Sequence, residues 1–194
     1  MLLAAASAGA GERQVLVLGD SISAAYGMSL EAGWVARAEA ALRARGYDVS
    51  MINASISGET SAGGRRRLPT LLARHEPAVV VLELGGNDGL RGYPVEQLRR
   101  NLRAMIDAAT ATGAAVLLLP MEIPPNYGPR YTRAFRDSFA QVAAATAARL
   151  GPFLLAGVAT DPALMQDDGI HPTAAAQTVM AETVLPALEA LLAP

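Results

Sequence analysis

The sequence predicts an α/β fold, a three-layer α/β/α sandwich around a central, mainly parallel five-stranded sheet. Two observations carry this expectation. Short apolar runs alternate with longer segments of helical spacing along most of the 194 residues, the pattern left by strand–helix–strand crossovers. Proline and glycine also stand where such helices start and stop, as with Pro94 and Gly113 around one long segment. No internal repeat or interdomain linker breaks the alternation, so one domain over residues 13–194 is expected, in keeping with about 100–200 residues per domain.

The elements follow in order. Residues 14–18 read as the first strand, and 33–45 (GWVARAEAALRAR) as a helix closed by Gly46, a good residue just past a helix end. Residues 47–53 give a second strand, 62–75 a helix and 78–84 (AVVVLEL) a third strand. A helix over 94–112 leads to a fourth strand over 114–119. A long alanine-rich helix is expected over 130–150 and a weaker fifth strand over 152–155. The chain closes with a helix over 172–192, bent at Pro186.

Composition narrows the chemistry. With 52% hydrophobic and 18% charged residues and a net charge of −2, the chain is globular and has no general attraction to nucleic acid or an anionic membrane surface. The absence of cysteine removes thiol nucleophiles, disulfides and Cys-based zinc or iron–sulfur sites. All 16 basic residues are arginine, so lysine-dependent chemistry is excluded as well. Only His75 and His171 remain as imidazole bases. Residues 1–12 (MLLAAASAGAGE) pair a short apolar stretch with small residues, and the first basic residue is Arg13. This is the character of a leader or partial signal peptide, which would imply a periplasmic or secreted protein. Elsewhere no apolar run approaches the ~18–20 residues of a membrane span.

Ligands of parallel α/β sheets bind at the carboxyl ends of the strands. There the sequence places Gly19-Asp20-Ser21 after the first strand, Asn53-Ala54-Ser55-Ile56-Ser57-Gly58-Glu59 after the second and Gly85-Gly86-Asn87-Asp88 after the third. Asp168-Gly169-Ile170-His171-Pro172 precedes the last helix. Each alone fits a turn, a helix cap or a helix start. Together they supply the parts of acyl transfer. Ser21 can be a nucleophile, His171 its base, and Asp168 the acceptor that fixes the imidazole's tautomer. The N–H groups of Ser21 and Gly58 and the Asn87 amide are candidate oxyanion donors.

Taken together, GDSIS, NASISGET, GGNDGLRG and DGIHP resemble the four blocks of the SGNH (GDSL) hydrolases, in the expected order from about Gln14 to the final helix. Within that family, MINASISGETS, LELGGNDGLRG, PPNYGPRY and MQDDGIHP are most similar to the bacterial periplasmic thioesterase I/lysophospholipase-type esterases. The resemblance implies a flavodoxin-like sheet, Ser21 as nucleophile, Asp168 and His171 completing a triad, and Ser21, Gly58 and Asn87 as the oxyanion hole. It implies hydrolysis of acyl esters or thioesters of medium or long chain, with no cofactor and no metal. Asp20 then braces the nucleophile loop. Alternatives are a carbohydrate or small-ester deacetylase with the same triad, and a non-catalytic acyl-binding protein.

Residues 119–128 (LPMEIPPNYG) could form one wall of an acyl groove and Leu90 the opposite wall. Gly85, Gly86, Gly89 and Gly92 either let the Leu90 segment move or serve packing and a tight turn. Asp20, Asp88, Leu90, Ile123, Pro124 and Ile170 are the residues expected around the substrate. His75 reads as a surface residue at a helix end, the Arg65-Arg66-Arg67 cluster as solvated surface, and Asp167 as pointing away from Asp168. A small-molecule acyl ester or thioester is the expected partner, and a monomer the expected state.

Overall fold

The computed structural model describes residues 11–193; most of the leader-like segment, residues 1–10, lies outside them. Five strands, β1 (Arg13–Gly19), β2 (Val49–Asn53), β3 (Val79–Glu83), β4 (Ala115–Leu118) and β5 (Arg149–Leu150), pair in the order β2-β1-β3-β4-β5. Every pairing is parallel. The helices are α1 (Trp34–Ala44), α2 (Ser61–His75), α3 (Gly86–Leu90), α4 (Val95–Ala111), α5 (Pro129–Ala144) and α6 (Ala176–Leu192).

The alternation of side chains along a strand builds two cores from one sheet. In β1, Val15 and Val17 pack with residues of α1 and α6, while Leu16 and Leu18 pack with those of α2, α4 and α5. All four are fully buried, which stabilises the fold by roughly 1.5–3 kcal/mol per side chain. Both faces of the sheet are thus covered, as parallel strands require. On one face, the Trp34 backbone N–H donates to the Gln177 side-chain oxygen at 2.9 Å and locks the start of α1 to α6.

Three elements differ from the sequence expectation. The fifth strand is Arg149–Leu150, not 152–155, and α5 ends at Ala144. Gly151 donates to the Leu118 carbonyl at 2.8 Å, but Pro152 has no N–H to continue the ladder. The last helix starts at Ala176 instead of 172, because Pro172 forms an antiparallel bridge with Met165 and Thr173 N–H donates to the Leu164 carbonyl. The sheet order reverses at β1, with β2 on one side and β3 on the other, and such a switch point opens a crevice at the strand ends.

Candidate active site

The chain leaves β1 at Gly19, whose register partner on β3 is Glu83. A Cβ on Gly19 would lie 2.6 Å from Glu83 Oε2 and 2.7 Å from Ser23 Cβ, so only glycine fits there. The turn that follows is organised by Asp20, whose Oδ1 accepts the Ile22 N–H at 3.1 Å and whose Oδ2 accepts from Asn87 Nδ2 at 3.3 Å. Beneath it, Ser23 Oγ donates to Glu83 Oε2 at 2.6 Å and accepts from Trp34 Nε1 at 3.2 Å. Ser21 is left half-buried at the mouth of a cavity.

Ser21 Oγ lies 2.8 Å from His171 Nε2, and His171 Nδ1 lies 2.6 Å from Asp168 Oδ2. The three-residue spacing of Asp168 and His171 works because Asp168 Oδ1 also accepts the backbone N–H groups of Ile170 and His171, each at 2.9 Å. Gly169, at φ +66°, supplies the left-handed residue this turn needs. The hydrogen bond from the His171 side chain, aided by the His171 and Ile170 N–H groups, lowers Asp168 to a pKa of about 2. On its other side, the imidazole is covered by Tyr26, with ring centroids 4.2 Å apart and planes 29° from parallel.

Burial has the opposite effect on the two acids under the loop. It raises Asp20 to about 6, against the pull of the Ile22 N–H and of His171. Glu83 is driven well above the usual carboxyl range by burial first and the Asp20 charge second. Both acids of this pair are therefore harder to ionise than a carboxyl in water.

Among the described residues, the N–H groups of Ser21 and Gly58 meet no protein acceptor, and the Asn87 amide gives only one hydrogen bond, to Asp20. Gly58 stands outside the cavity lining on an exposed turn at φ +80°. That turn is tied to the Ser21 loop, since Ile56 N–H donates to the Gly19 carbonyl at 3.1 Å.

The cavity occupies about 730 Å³. Of the residues expected around the substrate, Asp20, Leu90, Ile123, Pro124 and Ile170 line this cavity and Asp88 does not. The Asp88 carboxylate is buried and faces α2, where Oδ2 accepts the Ser61 N–H at 2.8 Å and Oδ1 the Ser61 hydroxyl. An acidic side chain at a helix N-terminus satisfies donors the helix leaves open, which accounts for its place. The Leu90 segment is the short helix α3, and packing fixes its glycines: a Cβ on Gly89 would lie 2.6 Å from Ile123 Cγ2, and one on Gly86 2.9 Å from Met121 Cε. Gly85 takes φ +129° to start it.

Several contributors escaped the sequence reading. Phe153, Leu155 and Met165 line the cavity from the segment taken for a strand and from the loop beyond it. Arg67 is not mere solvated surface, since its guanidinium meets Glu59 Oε2 at 3.1 Å and the Ala54 carbonyl at 2.7 Å. Glu83 had a visible signal, a lone acid inside the apolar run AVVVLEL. Tyr26 had none, because nothing in its spacing separates it from a surface tyrosine.

Residues 17–179 match the GDSL-like lipase/acylhydrolase family. The chain belongs to that family. Within the family, it is 54% identical over 183 residues to the esterase TesA of Pseudomonas aeruginosa, covering 94% of this chain and 91% of the relative. It is 46% identical to an arylesterase of Vibrio mimicus, covering 88% and 86% of the two chains. It is 42% identical to thioesterase 1/protease 1/lysophospholipase L1 of Escherichia coli, covering 92% and 84%. A crystal structure of TesA superposes with a TM-score of 0.90, covering 92% of this chain and 99% of that one. The psychrotrophic esterase EstA of a Pseudoalteromonas species, in a structure inhibited by monoethylphosphonate, gives 0.90 at 43% identity, covering 94% and 100%. Like these family members, the protein is an SGNH-type esterase, acting on carboxylic ester or thioester bonds.

Proposed function

We propose that hydrolysis proceeds through an acyl-enzyme on Ser21. The supporting observation is the unbroken relay from Ser21 Oγ to His171 Nε2 at 2.8 Å and from His171 Nδ1 to Asp168 Oδ2 at 2.6 Å. His171 takes the Ser21 proton as Oγ attacks the acyl carbonyl, and the oxygen of that carbonyl gains negative charge. The N–H groups of Ser21 and Gly58 and the Asn87 amide supply donors for it. Collapse of this intermediate breaks the bond to the alcohol or thiol, which leaves with the proton held by His171. Water then repeats the sequence, releasing the carboxylic acid and restoring Ser21. EstA, inhibited by a phosphonate, supports an attacking group of this kind.

The cavity supports an acyl portion longer than acetyl. Leu90, Ile123, Pro124, Phe153, Leu154 and Leu155 give it an apolar lining. An apolar chain laid there leaves water while its carbonyl stays at Ser21. The names of the relatives, esterase, arylesterase and thioesterase, point to a tolerant leaving-group side. Export, read from residues 1–12, and a monomeric state complete the proposal; cell fractionation and sedimentation test them.

The deciding experiment is hydrolysis of p-nitrophenyl esters from acetyl to palmitoyl by wild type and Ser21→Ala. Rates should peak at medium or long chains and fall by about 10⁴–10⁶ in the variant. Wild-type turnover in Ser21→Ala would overturn the acyl-enzyme, and a peak at acetyl would turn the reading to a deacetylase.

A further inference from the structure

The segment from Ala54 to Glu59, which carries Gly58, has little to hold it by packing. Ser57 and Gly58 are exposed, and Ile56 keeps 47% of its surface in solvent. Apolar burial, the usual means of fixing a loop, is therefore missing where an oxyanion donor has to be placed to within a fraction of an ångström. What remains are polar ties. Three of them come from two arginines outside the four sequence blocks' triad and oxyanion positions.

Arg67 sits on α2, one residue before the fully buried Leu68. The start of α2 is itself held down: Asp88 accepts from Ser61, and Asn101 Nδ2 donates to the Ser61 hydroxyl at 2.9 Å. From this fixed base the guanidinium reaches both ends of the segment. Nη2 donates to the Ala54 carbonyl at 2.7 Å, and Nη1 meets Glu59 Oε2 at 3.1 Å. Glu59 is seated closely against Gly63, where a Cβ would collide with its carboxylate. Arg91, just past the end of α3, donates from Nη2 to the Gly58 carbonyl at 3.2 Å. It thereby joins Gly58 to the element that carries Asn87.

We infer that Arg67, seconded by Arg91, is a positioning residue that buckles the 54–59 segment shut and holds the Gly58 N–H where the oxyanion forms. This rests on the acyl-enzyme reading and adds to it a residue that touches neither substrate nor triad. A planar guanidinium presents separate donors to two acceptors at once; a lysine ammonium is a single point of charge at the end of a flexible stem. Misplacement of a reacting group by about 1 Å can cost on the order of 10² in rate. Arg67→Lys is therefore not conservative.

The test is steady-state kinetics of Arg67→Lys and Arg91→Met beside wild type, on p-nitrophenyl butyrate, with thermal melts of each. Arg67→Lys should lose about tenfold or more in kcat with KM within about twofold, part of the ~10²–10³ that an oxyanion donor supplies. Arg91→Met, altered at an exposed side chain, should show the same signature on a smaller scale. An alkylboronic acid, which gives Ser21 a tetrahedral adduct with an oxygen in the oxyanion position, should bind each variant more weakly in proportion to its loss in kcat/KM. Affinity for the product butyrate should stay unchanged. Wild-type kcat in both variants, or a rise in KM alone, would overturn the inference while Ser21-dependent turnover in wild type left the acyl-enzyme standing. No Ser21-dependent turnover in wild type would remove both.

Discussion

At the scale of the residue, the site is a set of oxygen and nitrogen atoms whose charges are assigned by their surroundings. Asp168, held at about 2, keeps its carboxylate, and with it its hold on the imidazole, down to strongly acidic pH. Because its folded pKa is depressed, its contribution to stability is present above the ordinary value of 3.8 and is lost as pH falls through about 2. Asp168→Asn retains an oxygen for the turn but no longer an anion for His171 Nδ1. Its kcat should fall by about 10³–10⁴ and its melting temperature should drop slightly at neutral pH, measured by ester hydrolysis and calorimetry. These residues were legible because their side-chain types admit few roles in a chain with two histidines and no cysteine. Arg67 was not, because an arginine bridging a carbonyl and a carboxylate leaves no mark in the sequence that separates it from Arg65 and Arg66.

At the scale of the element, most of the strands and helices were readable from apolar spacing, and the failures have a common cause. The apolar residues of 152–155 suggested a strand, yet the ladder had already ended at Gly151 and Pro152. Their hydrophobicity faces the cavity instead: Leu154 is buried, while Phe153 and Leu155 are half-buried and line the space beside Ser21. A ligand wall and a strand have the same composition, and only the pairing partners distinguish them. Asp88 misled in a related way, since an acid beside Asn87 can face a substrate or a neighbouring helix end, and the choice is made by α2. The wall carries a prediction about chain length. Leu155→Trp should shorten the groove, lowering kcat/KM for a decanoyl ester by about tenfold relative to a butyryl ester. An unchanged ratio across the p-nitrophenyl series would place the acyl chain elsewhere.

At the scale of the molecule, the order β2-β1-β3-β4-β5 brings residues far apart in sequence to one rim, with Ser21 and His171 150 positions apart. The same convergence buries two acids together beneath Ser21, and this has a cost to the whole fold. Asp20 and Glu83 have raised folded-state pKa values, so the native chain holds protons that the unfolded chain would release. Stability from this source is greatest near and below pH 4 and declines as pH rises through about 6. For Asp20 the change is on the order of 1–3 kcal/mol. Melting temperature should therefore drop between pH 5 and 7.5 in wild type, and Glu83→Gln, which keeps the shape and removes one charge, should flatten that slope. An equal slope in the two proteins would locate the dependence elsewhere.

The indole of Trp34 gives this acid pair an optical readout. It is the only tryptophan in the chain, fully buried, and two hydrogen bonds from Glu83 by way of Ser23. Indole emission responds to the local electric field, so charging of Asp20, which burial raises to about 6, should shift the fluorescence of the native protein without any label or substrate. The Ser21 loop thus carries its own voltmeter, and Asp20→Asn should silence it while leaving emission otherwise native.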